Sequence, residues 1–89
     1  MPTPEDSLIE YPCDFPIKVM GLKVDGYLEA MAYVVKQFDP NWTPDKLETR
    51  ESAGGKYLGL TFTVRATSRE QLDELYRTLS SHPMSKVVL

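Results

Sequence analysis

Two stretches of the chain alternate apolar and polar positions at period two, the signature of strands with one buried face. In "FPIKVMGL", Phe15, Ile17 and Val19 fall on one side and Lys18 and Met20 on the other, and Gly21 leads into a turn. In "KYLGLTFTVRA", Leu58, Leu60, Phe62, Val64 and Ala66 share a face opposite Tyr57, Gly59, Thr61, Thr63 and Arg65. Between and after these runs the period changes to that of a helix. Behind Asp25 as a candidate N-cap, Leu28, Met31, Ala32, Val35 and Phe38 form one stripe, ended by the prolines of "DPNWTP". "TSREQLDELYRTLS" places Ser68 three residues before Gln71, a capping-box spacing, with Leu72, Leu75, Tyr76 and Leu79 as its apolar stripe. Asp73 and Arg77 stand four apart, an arrangement worth ~0.3 kcal/mol when paired.

The remaining segments complete a pattern. "DKLETRES" predicts a charge-rich edge strand, "AGG" a turn, and "MSKVVL", after Pro83, a last strand. The order β-α-β-β-α-β predicts an α+β, ferredoxin-like domain, a four-stranded antiparallel sheet with both helices on one face. The first and third strands then lie in the centre. Residues 1–12, with three prolines, read as a flexible N-terminal arm, and residues 13–89 as one domain.

Charge and cysteine content narrow the function classes. The net charge of −3 argues against nonspecific attraction to nucleic acid or anionic lipid. Cys13 is the single cysteine, so no internal disulfide and no thiolate cluster can form. "MPTPEDSLIEYP" has neither the basic start nor the apolar run of a signal peptide, and "AMAYVV" is far too short to span a bilayer. The expected location is the cytoplasm.

Chemistry is sparse. Cys13 and His82 stand far apart, which makes no metal site, and no cofactor motif occurs. "MGLKVDG" lacks the arginine that acyl-phosphate hydrolysis on this scaffold requires, and "SSH" is no triad. No catalytic residues are assigned. Single-stranded RNA binding is the alternative from another class, because the two central strands have the outline of RNA-recognition motifs. Such motifs stack bases on outward aromatics; here Lys18 takes one aromatic position and Phe62 points with the core set.

The uncovered sheet face carries more information. In this register it collects Lys18, Met20, Tyr57, Thr61, Thr63 and Arg65, then Met84, Lys86 and Val88 from the last strand. Lys46, Glu48 and Arg50 join them if "KLETR" buries Leu47. Bases then outnumber acids in a chain that is acidic overall. That balance suits either plain solubility or a docking face for an acidic partner, with Lys18, Met20, Tyr57, Arg65 and Lys86 as the candidate residues. A second candidate adjoins it: Gly21 lets a ligand or another subunit come close to the backbone, unless it is an ordinary turn glycine.

"FPIKVMG", "GGKYLGLTFTVRATSREQLDELYRTL" and the final "VVL" together resemble the YbeD-like family of small bacterial proteins of unknown function. The resemblance covers nearly everything after residue 7. The lysine of the opening motif falls earlier here, at Lys18, than in the family pattern. The family is similar in topology to ACT-type regulatory domains, which bind small ligands between the first loop and helix of paired domains. By position, that resemblance implies a ligand site at Met20, Gly21, Leu22 and Asp25, and a homodimer to complete it. Some family members are encoded near lipoate-attachment genes, which implies a regulatory partner. The expectation is a non-enzymatic regulatory or adaptor domain that binds a partner protein or a small metabolite.

Overall fold

The strand with the longest clean alternation forms the spine of the molecule. In a computed structural model describing residues 10–89, β3 (Tyr57–Ala66) runs beside β1 (Cys13–Leu22) in antiparallel register over its full length, from Cys13 opposite Ala66 to Leu22 opposite Tyr57. β2 (Leu47–Glu51) pairs with the outer side of β3, and β4 (Ser85–Val88) with the outer side of β1. The sheet order β2-β3-β1-β4 puts the first and third strands in the centre, as the sequence predicts. Helices α1 (Tyr27–Phe38) and α2 (Arg69–Ser81) complete the ferredoxin-like β-α-β-β-α-β order.

The helices and the core strands meet through the residues the alternation marks. Ile17, Val19, Leu60, Phe62, Val64 and Ala66 are buried, together with Leu72, Leu75 and Leu79 of α2. Each of the Val, Leu, Ile and Phe side chains among them contributes roughly 1.5–3 kcal/mol by leaving water. Ser68 caps α2 by accepting from the Gln71 N–H at 3.1 Å. Gln71 does more than close a capping box. Its carboxamide accepts from the Thr67 N–H and donates to the carbonyls of Phe38 and Arg65, tying the start of α2 to the ends of α1 and β3.

α1 departs from expectation in two respects. It begins at Tyr27 behind Gly26, which sits at φ 85° without a side-chain cap, so Asp25 is not the N-cap. A left-handed backbone at that point favours glycine. Its buried stripe is Tyr27, Met31, Val34 and Val35, rotated from the expected one, and Leu28, Ala32 and Phe38 are only partly buried. The Asp73–Arg77 pair does not form either: Arg69 pairs with Asp73, and Arg77 with Glu74.

The connection after α1 is built into the core. Trp42 is buried with its ring 5.4 Å from Phe62, and the buried Asp39 accepts from the Arg65 N–H at 3.0 Å. Tyr11, at the end of the expected arm, is partly buried against the core; residues 1–9 of that arm lie outside the described residues.

The last strand inverts its expected phase. Val88 stands opposite the buried Val19, and Val87 opposite Met20. A bulge follows, where Gly21 pairs with Ser85 and Lys86 is the extra residue. Met84 and Val88 therefore pack toward the core, whereas Val87 and Leu89 join the uncovered face. A shift of one residue reverses every side chain of a strand.

Candidate functional site

With both helices on one face, the other face of the sheet is left open, and its residues fall into rows across the strands. Glu48, Thr61 and Lys18 form one row, extended by Leu89, which exchanges two backbone hydrogen bonds with Lys18. Arg50, Gly59, Met20 and Val87 form the next. Gly59 has no side chain, so the second row dips in the middle of the sheet. The dip is the floor of an open groove of about 610 Å³, with Arg50 on one flank and Met20 and Val87 on the other. A Cβ at Gly59 would point into it, 3.4 Å from the Arg50 carbonyl and 3.9 Å from Met20 Cε.

The groove is apolar on one side and charged on the other. Met20, Val87 and Leu89 are three of the five large hydrophobics exposed among the described residues. They are contiguous, whereas Val24 stands apart in the turn after β1 and Tyr33 on α1. Lys18 and Arg50 have no ion-pair partner among the described residues, while Glu51 is held by Lys23. Glu48 is the one other acid lining the groove.

A scan of family models places residues 6–89 in the family described as "Protein of unknown function (DUF493)". The chain belongs to that family. It is 63% identical over 86 residues to a UPF0250 protein of Bordetella pertussis, covering 97% of this chain and 94% of that one. It is 62% identical over 86 residues to another from Ralstonia nicotianae, covering 97% and 89%. The solution structure of protein HP0495 from H. pylori has the same fold, with a TM-score of 0.76 at 17% identity, over 100% of this chain and 97% of that one. The family is one of unknown function, so membership assigns no activity and the function has to be argued from the site.

The two groups of residues singled out in the sequence fare differently. Lys18 and Met20 line the groove. Tyr57 shares their face but stands at its end, opposite Leu22, with Lys56 Nζ 5.4 Å from its ring centroid. Arg65 is at the other end of the sheet, paired with Asp14 at 3.3 Å. Lys86 is the extra residue of the bulge and is not among the residues lining the groove. The expected excess of bases on the face shrinks to Lys18 and Arg50 against Glu48. Asp14 was invisible as Arg65's neighbour because the two are 51 residues apart, and only the register joins them.

The Gly21 candidate changes meaning. Gly21 is buried, and a Cβ there would stand 2.5 Å from the Met84 carbonyl oxygen and 2.7 Å from Tyr27 Cε1. The close approach it permits is made by the chain's own tyrosine. Tyr27 Oη donates to the Val19 carbonyl at 3.2 Å, and burial pushes the phenol up to about 12. Leu22 is partly buried beyond it. Asp25 is exposed and lines a separate shallow depression of about 390 Å³ with Lys23, Gly26 and Leu58. Met20 thus lines the groove above Gly59, whereas Asp25 lines the separate depression.

Sequence reasoning missed Gly59, Val87, Leu89 and Arg50 as one site. Gly59 is legible as a gap in the outward set of β3, but the register of β2 and β4 is needed to see what flanks it. No three His, Cys, Asp or Glu side chains gather as a metal site among the described residues. Nor is any described helix long and apolar enough to cross a membrane.

Proposed function

We propose that the protein is a non-enzymatic regulatory or adaptor domain that binds a partner protein through the uncovered sheet face. The observation that carries this reading is the groove above Gly59, where exposed Met20, Val87 and Leu89 border Lys18 and Arg50. Contiguous apolar surface rimmed by charge is the usual make-up of a recognition patch, and single scattered hydrophobics are not. Methionine adapts its shape to a partner at small cost.

The small-ligand reading at Gly21 receives less support, because Tyr27 fills the approach that glycine leaves. RNA binding lacks its stacking platform: Phe62 is buried, and Tyr57 is the lone aromatic on the open face, away from the groove.

The test is affinity capture from lysate of the source bacterium with wild type and a Lys18→Glu/Arg50→Glu variant, each enriched protein then purified and rebound. A partner that binds the wild type directly and is lost with the variant is expected. Identical partner lists, or no direct binder, would contradict the reading.

A further inference from the structure

The two outer edges of the sheet are unequal. β2 presents Glu48, Arg50 and Glu51 within five residues, and short 3₁₀ turns at Pro44–Lys46 and Ala53–Gly55 stand at its two ends. Charge of that density discourages another strand from pairing. β4 is less densely charged, with Lys86 the only charge in Ser85–Val88, and the bulge at Lys86 leaves its Val87–Leu89 end as the regular part of that edge. Its register also fixes where its backbone points. Lys18 and Leu89 exchange hydrogen bonds of 3.1 and 2.7 Å, so the neighbouring Val19–Val88 pair is of the non-bonded kind. The N–H and C=O of Val88 consequently face outward from the sheet, and no described group bonds them.

The side chains along this edge are of two kinds. Val87 and Leu89, 48% and 70% exposed, lie on the groove side. Lys86, the extra residue of the bulge beside them, is exposed and without an ion-pair partner among the described residues. A strand laid beside β4 would satisfy Val88 with its own backbone and bring side chains both to the Val87–Leu89 surface and to Lys86. Apolar residues suit the first and carboxylates the second, since opposite charges across strands attract. A second copy of β4 offers its own Lys86 in place of a carboxylate, which makes it the poorer occupant.

Resting on the partner-binding reading above, we infer that the partner docks as an extended segment of apolar and acidic residues, added to the sheet beside β4. Its apolar side chains continue the Met20–Val87–Leu89 surface toward the groove, and its acids face Lys86.

The experiment is an NMR titration of the ¹⁵N-labelled protein with a capped nine-residue peptide alternating Val and Glu, and with its Val-Lys counterpart, followed by amide exchange. The Val-Glu peptide should shift the amides of Ser85 to Leu89 and slow exchange at Val88 by about tenfold or more. The Val-Lys peptide should do neither. Val87→Glu and Leu89→Glu, both at exposed positions, should each abolish the response. Shifts confined to Arg50, Gly59 and Thr61 would overturn strand addition while leaving the groove as a binding site. Slowed exchange at Val88 that grows with protein concentration and needs no peptide would assign the edge to a second copy and overturn the inference. No response to either peptide would also overturn it, and the partner reading would still stand or fall on the capture experiment.

Discussion

Gly21 and Gly59 sit on adjacent strands one row apart, yet on opposite faces of the sheet, and they do opposite things. At Gly21 the missing side chain is filled from within, by the Tyr27 ring and the Met84 carbonyl. At Gly59 the same absence is left open to solvent, and a groove of about 610 Å³ results. One glycine makes the core close-packed, and the other keeps a surface concave. The contrast extends to the faces as wholes: the helix side holds the buried apolar side chains, whereas the open side holds Met20, Val87 and Leu89 in contact with water. A face that contributes little to stability and still exposes contiguous apolar area is the one to examine for binding.

Substitutions on the two faces should separate accordingly. Phe62→Ala removes a buried ring that touches Trp42, and chemical denaturation should show a loss of roughly 3–5 kcal/mol. Gly21→Ala should cost roughly 1–3 kcal/mol, because its Cβ meets backbone at the Met84 carbonyl and cannot push it aside freely. A neutral Gly21→Ala would break the comparison at its most specific point.

Tyr27→Phe sharpens the account of the helix side. Loss of its hydrogen bond to the Val19 carbonyl should cost about 1 kcal/mol at neutral pH. Because burial raises the folded phenol from 10.0 to about 12, the folded state holds its proton where the unfolded chain has released it. Stability should therefore be fully present below pH 10 and fall as pH rises from there toward 12, and Tyr27→Phe should flatten part of that decline. Tyr76, also raised by burial, accounts for a further share. On the open face, Met20→Ser should change stability by no more than about 0.5 kcal/mol, measured in the same denaturation series.

Much of this division is legible in the sequence. The alternation in "FPIKVMGL" and "KYLGLTFTVRA" assigns Ile17, Val19 and the Leu58–Ala66 set to the helix side without ambiguity, because polar residues interrupt every second position. Ser68 and Gln71 announce the start of α2 at the correct place. "MSKVVL" takes the opposite phase for a physical reason. Two adjacent valines satisfy either phase, and the bulge at Lys86 shifts the register by one residue. Asp25 reads as a cap because carboxylates favour that position, but the backbone at Gly26 adopts the left-handed region and the helix starts two residues after Asp25. "DPNWTP" read only as a helix stop. Its burial of Asp39 and Trp42 depends on where β3 ends in space, which local spacing does not encode. The groove is the least legible feature, since it joins residues from three strands around an absent side chain.

The most direct test of the central claim, that the open face is a recognition surface, is partner capture by Gly59→Val. The added side chain projects into the groove beside Met20, and strand preferences keep its effect on stability within about 1 kcal/mol. The account predicts a variant that unfolds close to the wild-type midpoint and no longer retains the partner bound directly by wild type. A stably folded Gly59→Val that retains that partner with undiminished affinity would contradict it.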